Sequence, residues 1–401
     1  LVQHWLVEVL KAGGKLFLNP LLYFSIIMAL FSGFFRVKRE RRELHTRIYD
    51  MYHELRFLFP LGLLLGLGFS LLTIGAGLVI PVGSLLVIGA VTVVLALTFK
   101  TRLLTPAYTV GLGYFLLLAV RYFGIEIPFF NTYIEQLNEG LLNAVVVLLG
   151  TLLLIEGVLI SHSGWKKTSP RLIRSSRGLK VGVQEGKKLW VVPMFLLVPV
   201  GPLDLPWDWW PVFTVGSSTY SLVLFPFLIG FGQLVKSTLP HISIKEAGNR
   251  VFWLGALVLT IAVAGYFAPY VSIAGAVLAI IAREWLAYRQ RVQDSERSYY
   301  FSRKSQGLMI LAILPGSPAE KMSLVSGEMV TKVNGFHVQT EEEFYEALQQ
   351  NRAYCKLEVI DTNGQIRFAQ GALYEGDHHE LGIIFVEEDR EWSSKVGYHF
   401  V

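Results

Sequence analysis

FLFPLGLLLGLGFSLLTIGAGLVIPVGSLLVIGAVTVVLALTF, residues 57–99, carries no charged side chain over 43 positions and contains a Pro81-Val82-Gly83 turn signal near its middle. A helix needs roughly 20 apolar residues to cross a bilayer core, so the stretch reads as two spans, 57–79 and 82–99, joined by a tight turn. Outward from it, comparable runs recur at 16–35, 103–123, 141–161, 189–203, 214–235, 251–268 and 270–288. The run LWVVPMFLLVPVG is short and interrupted by Pro193 and Pro199, and the last two runs meet at Pro269-Tyr270. The spans therefore number eight or nine, in a polytopic α-helical membrane domain covering 1–293.

Composition agrees with this division. Of 401 residues, 53% are hydrophobic and only 17% charged, with mean hydropathy +0.47; soluble chains carry roughly 25% charge. The deficit lies upstream of residue 288, and from 294 onward the sequence has the character of a soluble domain. Charge also orients the spans. Twenty-five Lys and Arg fall in 36–56, 100–102, 162–188, 236–250 and 289–304. The alternate connections hold none and carry Glu126, Glu135, Glu139, Asp204 and Asp208 instead, with only Lys11 and Lys15 added at the N-terminal side. By the positive-inside rule the basic loops 36–56 and 162–188 and the C-terminal domain are cytoplasmic, and the N-terminus is outside. Trp207, Trp209 and Trp210 suit the outer membrane interface. The first run ends in Arg36-Val37-Lys38-Arg39, so it reads as a retained anchor and not a cleaved signal.

Few ionisable groups enter the spans. Arg121 is near an outer end, and Arg283 and Glu284 lie a turn from an inner one. Glu156 is deeper, and two readings stand: a functional intramembrane carboxylate, or a group hydrated or paired with the basic loop after it. Gly62, Gly66 and Gly68 give one span a small-residue face, with Gly62 and Gly66 in GxxxG register. That face suits close packing within the chain or between copies. The basic segments 36–56 and 162–188 suit anionic lipid or a partner surface.

In the soluble part, GLMILAILPGSPAEKMSLVSGEMVTKVNG (307–335) reads as a strand run, Met309 to Leu314, broken at Pro315 to Pro318. It ends in turn chemistry at Asn334-Gly335. TEEEFYEALQQN (340–351) opens on a Thr cap with acids in the first turn and shows helical spacing at Phe344, Ala347 and Leu348. KLEVIDTNGQIRF reads as a hairpin around Asn363-Gly364. This order resembles a PDZ domain, a small α+β fold, with Ser323 where bacterial members usually have Gly and Glu328 where they usually have Asp. The family's carboxylate-binding loop is missing before Gly307, and its best match is HHELGIIF (378–385). The resemblance thus implies a circularly permuted domain over 294–389, with a tail at 390–401. It places a peptide carboxylate on the amides of Leu381, Gly382 and Ile383, continues the groove strand through Ile384 and Phe385, and sets Glu341, Tyr345 and Leu348 on the facing helix. A partner would add a strand to an open edge. The alternative is that 381–386 is only a closing core strand.

Catalytic patterns are missing. A zincin needs HExxH on one helix face, but His53-Glu54-Leu55-Arg56-Phe57 has Phe at the second ligand position. His378-His379-Glu380 has no ligand four residues on. Pro202-Leu203-Asp204 falls at the expected outer surface, and Gly216-Ser217-Ser218 has no matching histidine. Cys355, the sole cysteine, excludes an intramolecular disulfide and reads as a half-buried strand thiol. No enzyme, metal, cofactor or nucleic-acid partner is expected.

Over its whole length the chain resembles the MinJ family, membrane-bound Min-system proteins of Gram-positive rods. The carrying features are the opening FLNPLLYFSIIMALFSGFFRVKRERRELHTRIYDMYHELR, the multi-span body and one terminal PDZ domain without protease residues. The resemblance implies a scaffold that connects DivIVA to MinD and, through MinD, to the FtsZ inhibitor MinC, at poles and division septum. It leaves a homo-oligomer open. A PDZ-bearing regulator of a membrane protease or secretion machine shares every physical feature and is one alternative; a transporter with a regulatory domain is the other, disfavoured by its lack of midplane polar groups.

Overall fold

The computed structural model describes residues 2–124, 139–175, 177–204, 219–351, 354–372 and 381–386. The Trp207–Trp210 cluster, Glu126, Glu135, Asp208, His378–Glu380 and the tail lie outside them. The helices are α1 (Val2–Leu16), α2 (Pro20–Leu44), α3 (His53–Leu58), α4 (Pro60–Gly75), α5 (Val82–Ala96), α6 (Pro106–Phe123), α7 (Glu139–Leu159), α8 (Pro240–Ala264) and α9 (Pro269–Glu296). Five stretches among the described residues are long and apolar enough to cross a membrane: Pro20–Leu44, His53–Gly75, Leu142–Gly164, Pro240–Ala264 and Pro269–Glu296. Prolines at the first turn start α2, α4, α6, α8 and α9, where a missing N–H costs nothing. Helix α1, which the hydropathy pattern did not announce, lies against a strand; its Glu8 accepts from Ser221 Oγ at 2.8 Å.

Two expected spans are corrected. The described residues of 189–203 and 214–235 form no helix. Their described parts belong to strands β2 (Lys180–Asp204) and β3 (Thr219–Val235), an antiparallel pair from Gln184↔Val235 to Asp204↔Thr219 with a register shift between Pro199 and Leu203. The 162–188 segment is likewise no loop, since it supplies β1 (Ser169–Arg174) and the start of β2, which pair antiparallel. Segment 36–56 is part helix: α2 runs to Leu44, and after a turn with His45 in the left-handed region α3 begins at His53. A hairpin returns to the end it left, so the basic stretches 162–188 and 236–250 still share one end.

Proline explains the choice of strand. Inside a helix each of Pro193, Pro199 and Pro226 would remove a hydrogen bond and clash with the preceding turn, at about 3 kcal/mol apiece. In β2 the odd-numbered residues turn their backbone away from β3. The Val191 and Pro193 carbonyls face α4, Phe195 N–H donates to Ser70 Oγ at 2.8 Å, and the Leu197 carbonyl accepts from Ile80 N–H at 2.8 Å. Pro193 thus sits where a donor would otherwise be left unpaired in an apolar interior. The stripe Gly62, Gly66 and Ser70 lets α4 lie on this strand edge. A Cβ at Gly62 or Gly66 would fall 2.1 or 2.3 Å from the carbonyl oxygen of Val191 or Pro193. The GxxxG face therefore packs within the chain, against a strand and not another helix.

Both faces of the hairpin are covered. Trp190, Val192, Met194, Phe225, Phe227 and Ile229 join the main core with α7, and Leu189, Val191 and Leu228 pack against α2 and α3. Glu156 of α7 is fully buried and pairs with Arg283 of α9 at 3.0 Å while accepting from Thr105 Oγ1. Its partner is another helix, not the basic segment that follows it.

The C-terminal unit holds β4 (Leu308–Ile313), α10 (Pro318–Lys321), β5 (Met329–Val333), β6 (Phe336–His337), α11 (Glu341–Gln349), β7 (Tyr354–Ile360), β8 (Ile366–Ala372) and β9 (Ile383–Phe385). The sheet order is β8-β7-β5-β4-β9, with β6 on β5, and every pairing is antiparallel. Asn334 and Gly335 have positive φ in the β5–β6 turn, and Thr340 and Glu343 form the capping box of α11. Ser323 has φ +56°, which accounts for the glycine expected there. Glu328 is long enough to hold Arg367 through two hydrogen bonds, 2.8 and 2.6 Å, while accepting from Val325 N–H.

Candidate functional site

The last strand is placed by local chemistry. The Gly382 carbonyl accepts from Leu314 N–H at 2.8 Å and the Leu381 carbonyl from Ala319 N–H at 3.1 Å, so the Pro315–Pro318 turn and α10 hold the entry to β9. Beyond it, β9 pairs with β4 through Ile383↔Ile313, Ile384↔Ala312 and Phe385↔Ile310. Among the described residues no strand pairs its other edge, and the amides of Leu381 and Gly382 donate to none. An extended peptide could pair along that edge, and a carboxylate could be held by two such amides.

The structure brings 381–385 and α11 together. Phe344 meets the Phe385 ring edge-on at 5.0 Å, and Leu381, Ile383, Phe385 and Leu348 share one core cluster, against which Tyr345 packs half-buried. Leu348 is 2% exposed and holds the helix to the sheet, so it does not line an open groove. Glu341 is half-buried in the first turn of α11. Gly382 has φ +76°, and a Cβ there would lie 2.3 Å from Ser317 Cβ. Its bare face thus looks back into the domain, and the glycine serves the turn itself. Cys355 is buried in β7, and burial pushes its thiol up to about 12.

Sequence reasoning missed what lies behind the sheet. Its other face, with Met309, Leu311, Met329 and Val386 and the half-buried Ile384, packs on Phe301, Leu239, Leu172 and Leu44 of the helical part. Gln184 of β2 donates its side-chain amide to the Leu311 carbonyl at 2.7 Å, and Gly182 N–H donates to Phe301 O at 2.8 Å. Asp294 pins the end of α9 by accepting from the amides of Lys236 and Ser237, both at 2.9 Å. One signal was available: Met309 to Ala312 is apolar without alternation, the mark of a strand buried on both faces.

Of the residues weighed for catalysis, His378–Glu380 and Gly216–Ser218 lie outside the described residues, and His53 and Glu54 sit in structural contacts. His53 stacks on Tyr49 with ring centroids 4.3 Å apart, and Glu54 binds Arg36 at 2.6 Å. Among the described residues no group of three or more His, Cys, Asp or Glu could hold a metal ion.

The chain is 43% identical to the cell division topological determinant MinJ of Bacillus subtilis (strain 168), over 97% of each chain. It is 26% identical to a probable cell division topological determinant MinJ of Lacticaseibacillus paracasei, over 93% of this chain and 98% of the relative. The name of neither relative states a catalytic activity. No family model and no solved structure matches.

Proposed function

The chain belongs to the MinJ family of cell division topological determinants, and we propose that it is a membrane-anchored adaptor of division-site selection. In this reading 294–389 is a cytoplasmic, circularly permuted PDZ domain, the bundle of 1–293 is its multi-pass anchor, and the protein gathers at poles and septum. Its partners are those the family resemblance implies, DivIVA on one side and MinD with MinC on the other. The observation that carries the reading is that, among the described residues, the outer edge of β9 is unpaired and the amides of Leu381 and Gly382 at its head donate to none, with α11 beside it. Backbone pairing along β9 would supply affinity, and the half-buried Tyr345 flank would supply selectivity.

The test uses the full-length protein in cells of its own kind. A photo-crosslinking residue at Tyr345 is expected to capture division proteins, and one at Phe336, exposed in the β6 hairpin, is not. A fluorescent fusion is expected at septa and poles. Even membrane fluorescence, or capture from Tyr345 of a protease or secretion component in place of division proteins, would overturn the proposal.

A further inference from the structure

At the basic end of the bundle a cavity of about 470 Å³ opens between the last turns of α2, helix α3 and the start of β2. Its wall carries seven Lys and Arg against two carboxylates, Glu54 and Glu185. Both carboxylates are already committed, Glu54 to Arg36 at 2.6 Å and Glu185 to Arg39. Among the described residues Lys38, Arg42, Lys167, Lys187 and Lys188 have no carboxylate within ion-pair distance.

Two buried groups show that this is more than a solvated basic face. Lys188 is only 6% exposed, and its ammonium has the face of Phe57, 4.4 Å away, in place of a counterion. Lys167 reaches the same ring from 5.9 Å, so two cations share one aromatic partner. His53, also 6% exposed, lines the cavity, and its buried Nε2 has no hydrogen-bond partner. A buried ammonium without an anion is costly, and neighbouring cations add repulsion. An anion carrying more than one oxygen would give Lys188 its counterion, pair Lys167 at the surface, and accept from His53 in the Nε2–H tautomer. Beside the cavity, Phe31, Phe35 and Phe99 form an exposed aromatic cluster, with Phe35 at the cavity itself. An apolar strip next to a cationic cavity at a helix end has the layout of a lipid headgroup site.

We propose that this cavity binds a phosphate-bearing anion: the phosphodiester of an anionic phospholipid headgroup, or a soluble phosphate ester of the same charge. Lys188 supplies the deep charge, and Lys167, Lys38 and Arg42, all exposed, supply the rim.

The test is binding of short-chain phosphatidylglycerol to the full-length protein in non-ionic detergent, with short-chain phosphatidylcholine as the zwitterionic comparison. Saturable binding of the anionic lipid is expected. Lys167→Gln with Lys188→Gln should weaken it about tenfold or more, as expected for lost charge-assisted contacts. Because Lys188 is buried, Lys38→Gln with Arg42→Gln, both exposed, is the second variant pair, with a loss of about threefold or more. Arg297→Gln with Lys304→Gln, exposed and outside the cavity, serves as control and should leave binding unchanged. Competition by glycerol phosphate would identify the soluble source, and its failure to compete the lipid source; the site stands in either case. The proposal is overturned if the anionic lipid and glycerol phosphate both fail to bind saturably, if both cavity pairs bind as the unaltered protein does, or if the control pair loses as much.

Discussion

Replacing Glu156 by Gln removes one charge from the middle of the helical bundle and almost nothing else. The amide keeps the shape of the carboxylate and can still accept from Thr105 Oγ1, but Arg283 loses its counterion. At the 3.0 Å separation of the pair, the Coulomb attraction at an effective dielectric of about 20 is roughly 5–6 kcal/mol. Part of that only offsets desolvation, so removing one partner is expected to cost about 3–5 kcal/mol. Arg283 is 7% exposed and its Nε already has no partner. It cannot escape by losing its proton, because guanidinium stays charged. The reverse change, Arg283→Met, should cost less, because a carboxyl left alone can take up a proton. The double variant should recover much of the Glu156→Gln loss, since it leaves no unpaired buried charge behind. The assay is SDS titration in mixed micelles, with unfolding followed by tryptophan fluorescence and by proteolysis. If Arg283→Met proves the more damaging single change, or the double variant is no better than Glu156→Gln, the pair does not hold the bundle in this way.

Gly66→Leu should lift α4 off the β2 edge, since its Cβ would lie 2.3 Å from the Pro193 carbonyl. Overpacking and the loss of the Ser70–Phe195 hydrogen bond together should cost about 2–4 kcal/mol in the same titration. Gly68→Leu, with nothing within 4 Å, should stay within about 0.5 kcal/mol of the unaltered protein. Cys355, its thiol held up at about 12 by burial, should resist alkylation by iodoacetamide at neutral pH until the domain unfolds. Because the folded state keeps a proton that the unfolded thiol releases near its ordinary value of 9.0, stability should fall between about pH 9 and 12, by up to about 1.4 kcal/mol per pH unit. Cys355→Ala, compared at each pH, should lack that component of the slope.

The apolar helices were legible from hydropathy and length, and Pro20, Pro60, Pro106 and Pro269 mark where they begin. The last apolar helix but one starts at Pro240 and takes in most of the 236–250 connection that charge had set outside a span. The hairpin was not, because a hydropathy window counts apolar residues without asking which way their backbone groups point. Its signals were Pro193, Pro199 and Pro226 inside runs of β-branched and aromatic residues. A run from 189 to 199 is short for a spanning helix, yet a strand of roughly 9–11 residues suffices to cross. The cap of α11 and the turn at Asn334-Gly335 were read from local chemistry, which needs no tertiary partner. Leu348 was set on the groove because helical spacing alone does not tell which apolar neighbour fills the core, and here Phe344 and Leu348 both do.

Strand β4 is where the two parts of the molecule meet. One of its edges carries β9, and its residues Met309 and Leu311 face the surface made by Phe301, Leu239 and Leu172. The Leu311 carbonyl, on the same strand, is held by Gln184 of β2, and β2 runs on between the helices beneath α4. In the proposed binding mode, a peptide added at β9 therefore extends a sheet in which the strand next to β9 is fastened to the hairpin inside the bundle. Few freely rotating bonds separate such a partner from the membrane anchor. A tethered domain on a loose linker would bring a partner near the membrane; this arrangement also sets its direction, as a positional determinant requires. The apolar docking face explains why β4 reads as an unbroken apolar run, and it makes the C-terminal unit a poor candidate for a freely diffusing module. In that mode the partner's grip on β9 and the bundle's grip on β4 act on paired strands.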